Sequence, residues 1–202
     1  MITSDRERQA PLSVEETEPS HLARYRFATK FIEESQIILD APCGSGYGTA
    51  VLSSKARQVY GVDISADAID HAKEFFKKEN NSFVVSNIEN MASTFPDSHS
   101  FDLIISFEGI EHLYNPEMFL KESARLLKPK GKLIISTPRR PHGSPYHTTE
   151  YNLEEYKMLL SKHFIIEKMY GQLFVDIFDM NERNEDPDTH LHFNFIAICS
   201  PK

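Results

Sequence analysis

The sequence predicts an α/β fold: one open, mostly parallel sheet with helices on both faces. Three observations predict it. Short apolar runs alternate with segments of helical periodicity through most of the chain, the order that builds parallel strands joined by crossover helices. The first apolar run, "QIILD", opens directly into a turn with glycines at alternate positions, Gly44-Ser45-Gly46-Tyr47-Gly48. Near the C-terminus two strand-like runs, "FIIEKMYGQ" and "HLHFNFIAICS", are separated by the acidic loop "DMNERNEDPDT" rather than by a helix, which reads as an antiparallel hairpin added to a sheet edge.

Each element has a local reason. Residues 1–19 are polar with scattered prolines and are expected to form a loose arm; residues 20–202 are expected to be a single domain. "SHLARYRFATKFIEES" starts at a possible N-cap, Ser20, and carries apolar residues at near-helical spacing. "YGTAVLSSKA" reads as a helix and "QVYGVDIS" as the second strand. "SADAIDHAKEFFKKEN" reads as a helix capped by Ser65, with Ala68, Ile69, Ala72, Phe75 and Phe76 on its core side. "SFVVSNI" and "FDLIISFEGI" read as strands, "NPEMFLKESARLLKPKG" as a helix stopped by Pro129 and Gly131, "KLIISTP" as a strand, and "NLEEYKMLLSKHF" as a helix. The pattern is taken as strand and helix alternating five times after the first helix.

The bulk numbers restrict the function. A chain of 202 residues with 40% hydrophobic and 26% charged residues is ordinary for a globular domain. Its net charge of −8 argues against a broad nucleic-acid-binding face, which needs a basic surface. The one clear basic cluster, Arg139-Arg140, reads as a solvated loop. Two cysteines cannot form a disulfide framework and fit a reducing compartment. There is no run long and apolar enough to span a membrane, and the N-terminal residues lack a secretory h-region. A cytoplasmic protein, monomer or homodimer, with no membrane or nucleic-acid partner is the expectation.

The glycine turn carries the chemistry. In open α/β sheets the ligand lies beyond the carboxyl ends of the strands, where strand order reverses. Asp40 ends the first strand and Asp63 the second; a carboxylate in the latter place suits the vicinal hydroxyls of a ribose. The third glycine comes one position too early for the dinucleotide fingerprint, and Asp40 just ahead of the turn is poor company for a pyrophosphate. Asp40 suits an ammonium group. A ribose, no phosphate and a cationic amine describe S-adenosylmethionine (SAM).

On these residues the chain resembles the class I SAM-dependent methyltransferases. "ILDAPCGSGYG", "GVDIS", "FDLIISFEGIEHL" and "LLKPKGKLIISTP" are similar to four of their motifs, over roughly residues 20–170. The resemblance implies a Rossmann-like, seven-stranded sheet of order 3-2-1-4-5-7-6 with strand 7 antiparallel, and S-adenosylhomocysteine (SAH) as product. It implies that Gly44 and Gly46 let the backbone meet the methionine part, that Asp40 supports its amine, and that Asp63 holds the ribose with Ile64 packed on the adenine. Asn87 would accept from the adenine amino group, where the family often has an Asp, with Ile88 flanking the ring and Phe107 lining the methionine side. "HLARYRFATKF", "SFEGIEHL", "STP", "YHTTEY" and "YGQ" further resemble small methyltransferases of bacterial surface-polysaccharide gene clusters. There an N-terminal helix covers the cofactor, which makes Tyr25 and Arg26 candidates to cap the methionine carboxylate; plain packing of Tyr25 on the first strand is the alternative. "TPR" replaces the usual "TPN" after the fifth strand.

Methyl transfer needs acceptor, methyl and sulfur in line, and a base when the acceptor is a hydroxyl. Glu108, Glu111 and His112 follow the fourth strand at i, i+3 and i+4, and His147 follows the fifth. His112, with Glu111, is the favoured catalytic group. A divalent metal on the same residues, as in some metal-using relatives with "E-x-x-E-H", is the less favoured reading. Cys43 beside the turn reads as packing, since no base is spaced to activate it. His71, His163, His190 and His192 read as structural or solvent-facing. The expected function is methyl transfer to an oxygen, or a nitrogen, of a small molecule or sugar. A non-catalytic SAM-binding module and a nicotinamide-dependent oxidoreductase are the alternatives.

Overall fold

A computed structural model describes residues 8–183, 185–190 and 192–202; residues 1–7 of the expected arm lie outside the described residues. The chain order is α1 (Pro19–Ala28), β1 (Ile37–Asp40), α2 (Tyr47–Leu52), β2 (Gln58–Asp63), α3 (Ala66–Phe75), β3 (Asn81–Val85), β4 (Phe101–Ser106), α4 (Pro116–Leu126), β5 (Leu127–Pro138), α5 (Leu153–Leu160), β6 (Phe164–Leu173), β7 (Asp176–Asp179) and β8 (Asn194–Pro201). The strands form one eight-stranded sheet of order β3-β2-β1-β4-β5-β8-β6-β7. The pairs β3-β2, β2-β1, β1-β4 and β4-β5 are parallel, and β8 runs antiparallel to both β5 and β6. This is the expected seven-strand order with one strand more, β7, which pairs antiparallel with β6 at the edge.

The central strands are apolar because both of their faces are covered. Ile38 points to one layer with Leu52, Val59 and Ile105, while Leu39 points to the other with Phe119, Leu120 and Leu133. Each fully buried side chain of this kind contributes ~1.5–3 kcal/mol. Caps fix the helix starts. Ser65 accepts from the Ala68 amide, Asn115 from the Met118 amide, and Asn152 with Glu155 forms a reciprocal capping box.

Several expectations are corrected. The cap of α1 is Glu18, whose carboxylate accepts from the Ser20 and His21 amides ahead of Pro19, and not Ser20. No helix lies between β3 and β4 among the described residues; residues 86–100 cross that edge as turns, so the strict alternation breaks there. The helix α4 ends at Leu126, before Pro129, and β5 begins at once. His190 and His192 precede β8 instead of alternating along it. Arg139 is buried, with its guanidinium on Asp188 and the His190 carbonyl, where a solvated loop was expected. Residues 8–18 are held to the domain: the Pro11 carbonyl accepts from His71 Nε2 at 2.8 Å and Gln9 Oε1 accepts from the Glu18 amide at 2.9 Å.

Candidate functional site

Strand order reverses at β1, which lies between β2 and β4. A cleft of about 830 Å³ opens at that point. Its walls are the segments that leave each parallel strand: Pro42–Ser45 after β1, Asp63–Ser65 after β2, Asn87–Glu89 after β3, Phe107–Tyr114 after β4 and Pro138 to His147 after β5. Arg8, Gln9, His21 and Tyr25 close the remaining side.

Of the residues singled out in the sequence, Tyr25, Gly44, Asp63, Ile64, Asn87, Ile88, Phe107, Glu111 and His112 line this one cleft. Asp40 and Gly46 stand behind its wall. Asp40 is fully buried; its two oxygens accept from the Thr49 hydroxyl at 2.6 Å and the Tyr25 hydroxyl at 3.2 Å. Burial pushes its carboxyl up to about 7. Gly46 has φ of 93°, and a Cβ there would stand 2.4 Å from the Ala72 Cβ, so this glycine serves the contact between the turn and α3. Tyr25 meets the cleft with its ring, edge-on to Tyr47 and Phe107, while its hydroxyl goes to Asp40. Arg26, the other candidate on α1, is exposed and lines a separate groove.

Three amides of the turn after β1 are spent inside the protein. Cys43 N donates to the Val62 carbonyl, Gly44 N to Asp63 Oδ2, and Gly46 N to the Cys43 carbonyl. A pyrophosphate would need such donors facing outward. Ser45, between the two glycines, lines the cleft, and its Oγ is buried with no hydrogen-bond partner among the described residues. Ile64 is 66% exposed in the same wall, an apolar surface that a flat base would cover. Asn87 Oδ1 accepts from the Glu89 amide at 2.9 Å and keeps a second lone pair. Burial holds the Cys43 thiol well above its ordinary range, which fits packing and not nucleophilic attack.

The acidic pair after β4 divides into two states. Glu108 has φ of 49°, its amide donates to Ser136 Oγ, and that hydroxyl donates to Glu108 Oε1. Burial favours its neutral form, but the Arg24 guanidinium at 3.8 Å, His21 and side-chain hydrogen bonding together outweigh this and hold the carboxyl below the usual range. Burial, and then the Glu108 charge, drive the Glu111 carboxyl well above its ordinary value. Glu111 Oε2 accepts from the Thr137 hydroxyl, and its main-chain carbonyl receives Thr148 and Thr149, tying the 139–151 loop to the end of β4. His112 Nδ1 donates to the Tyr146 carbonyl at 3.1 Å, which makes Nε2 its basic nitrogen. Glu111, His112 and His147 offer donor atoms within 4.8 Å of one another, as do His142, His147 and Glu150. Glu150 already accepts from the His142 and Gly143 amides and from His147 Nδ1, so it braces the loop.

Sequence reasoning missed Ser45, Arg8 and the buried Arg24. The signal for Arg24 was present, because His21, Arg24, Tyr25 and Ala28 share one helical face. Arg24 donates to Gln172 Oε1 at 2.9 Å across to β6.

Residues 39–135 match the family model described as a methyltransferase domain. A Mycobacterium tuberculosis protein named "probable S-adenosylmethionine-dependent methyltransferase" is 34% identical over 131 residues, 61% of this chain and 46% of that one. Residues 39–135, just under half of the chain, are thus similar to SAM-dependent methyltransferase domains. The ubiquinone biosynthesis O-methyltransferase of Coxiella burnetii is also similar to it, 34% identical over 118 residues, 55% of this chain and 49% of that one. The chain thus spans about half the length of the curated relatives it matches. The chain shares its fold with a protein of Pyrococcus horikoshii (TM-score 0.70, 20% identity, 88% and 87% of the two chains). It shares it also with the N-methyltransferase NodS of Bradyrhizobium japonicum, crystallised with SAH (TM-score 0.68, 18% identity, 92% and 89%). Among the described residues no helix is long and apolar enough to cross a membrane.

Proposed function

We propose that the protein is an active methyltransferase that moves a methyl group from SAM to an oxygen, or a nitrogen, of a small molecule or an exposed sugar, releasing SAH. The carrying observation is the cleft wall itself. It joins a strand-end carboxylate, an orphaned serine and an exposed isoleucine beside a turn three of whose amides are already bonded within the protein.

In this reading Asp63 grips the ribose hydroxyls, Ile64 and Ile88 flank the adenine, and the Asn87 carbonyl accepts from its amino group. Ser45, Gly44 and the rings of Tyr25 and Phe107 receive the methionine part. Bound SAM supplies an electrophilic methyl on a sulfonium. His112, oriented by the Tyr146 carbonyl, takes the acceptor's proton at Nε2, and Glu111, its carboxyl raised by burial, positions the loop through its main-chain carbonyl. Both an O- and an N-methyltransferase stand among the similar proteins, which supports a choice between oxygen and nitrogen acceptors and no finer one. The lip is formed by the residues near Arg8 and by the 139–151 loop, a small enclosure that suits a small acceptor.

Titration calorimetry with SAH tests the reading. The wild type should bind, and Asp63→Ala should lose about ten- to a hundredfold in affinity, the worth of a charged hydrogen-bonding group. A flat wild-type titration, or an unchanged affinity in the variant, refutes it.

A further inference from the structure

We infer that Arg8 sits in the ribose seat and that residues 8–10 form a strap which must leave Asp63 before the cofactor's diol can be gripped. The inference rests on the role proposed above for Asp63.

The argument is a count of lone pairs. An ionised carboxylate offers about four acceptor sites, two on each oxygen. Asp63 Oδ1 already accepts from Ser65 N at 2.9 Å and from Arg8 Nη2 at 3.1 Å, and Oδ2 accepts from Gly44 N at 3.0 Å. One site on Oδ2 is left, whereas a vicinal diol held by both oxygens needs one on each. Ser65 N and Gly44 N are backbone amides fixed by the cap of α3 and by the turn after β1. Arg8 is the donor that can go. Its side chain is 30% exposed, whereas that of Asp63 is 3% exposed, so the guanidinium covers the carboxylate from the solvent side.

The chain is built for a short swing. Pro11 is fastened to α3 through His71 Nε2, and Leu12 N donates to Glu16 Oε2. The segment after residue 10 can therefore stay in place while Arg8 moves. Gln9 also lines the cleft, and its Oε1 bond to the Glu18 amide opens only if the movement reaches it, which would widen the adenosine end. Opening this ion pair consumes part of the binding free energy and lowers the apparent affinity by the fraction of molecules that are closed.

The test is calorimetry of SAH on the full chain, wild type against Arg8→Ala and Arg8→Gln, at low and at high salt. A partly exposed ion pair of this kind sustains an effect of about three- to fivefold. Both variants should bind SAH that much more tightly than the wild type. Raising the salt should tighten binding to the wild type by screening the pair and leave the variants unmoved. Equal or weaker binding by both variants, or a wild-type affinity indifferent to salt, overturns the strap while leaving the cofactor site standing. Failure of all three proteins to bind SAH refutes the proposed function, and the strap with it.

Discussion

Asp40 shows how burial changes what a carboxyl can do. The sequence offered it to the cofactor's amine. In the fold it is sealed behind Tyr25 and answered by two hydroxyls, with no cation in hydrogen-bonding reach among the described residues. Its pKa, pushed by burial from an ordinary 3.8 to about 7, means that the folded chain holds a proton which the unfolded chain gives up. Between about pH 4 and pH 7 the folded state therefore binds more protons, and the stability it gains at low pH is lost as pH rises through that window. Asp40→Asn removes the titration, and both hydroxyls can turn to suit an amide. Denaturant unfolding of the two proteins from pH 4 to pH 7 should show the variant gaining on the wild type as pH rises, by at most roughly 4 kcal/mol. A difference that stays flat across the window removes the claim.

At the scale of elements, most of the fold was legible because the parallel strands are covered on both faces and read as continuous apolar runs. The failures have identifiable causes. Strand β7 is four residues long, half-buried and at the edge, so its sequence carries little alternation. It is entered through a two-residue turn at Phe174, with φ of 53°, in a place where a glycine or asparagine would have announced the turn. The cap of α1 was misplaced because a glutamate, not a serine, does the capping. Gly46 was recognised as necessary, but for a reason the sequence does not contain: the partner it must clear, Ala72, is brought there by α3. Gly46→Ala combines a left-handed residue with a clash against Cα and Cβ of a packed helix. It should cost ~2–4 kcal/mol in chemical unfolding; a loss under ~1 kcal/mol would mean that the turn and α3 can part without penalty.

At the scale of the molecule, the site was legible because its residues follow strand ends, and topology alone gathers strand ends on one side of the sheet. Asp63, Asn87, Phe107 and His112 leave three different strands and meet in one cleft for that reason. What topology does not specify is which neighbour answers each group, and so Ser45, the Arg8 contact and the burial that raises the Glu111 carboxyl emerged only from packing. The same distinction separates the two halves of the proposed reaction. The cofactor half is built on β1, β2 and β3. His112 stands on the acceptor half, after β4, and its Nδ1 hydrogen bond reaches the 139–151 loop that follows β5. A base placed there acts on turnover and not on cofactor affinity. His112→Ala should leave the SAH dissociation constant within about twofold. It should slow methyl transfer to a hydroxyl acceptor by about 10²–10⁴-fold, followed as SAH release in single turnovers. A variant that loses SAH affinity at full rate would move His112 to the cofactor side, and one unchanged in both would remove it from the mechanism.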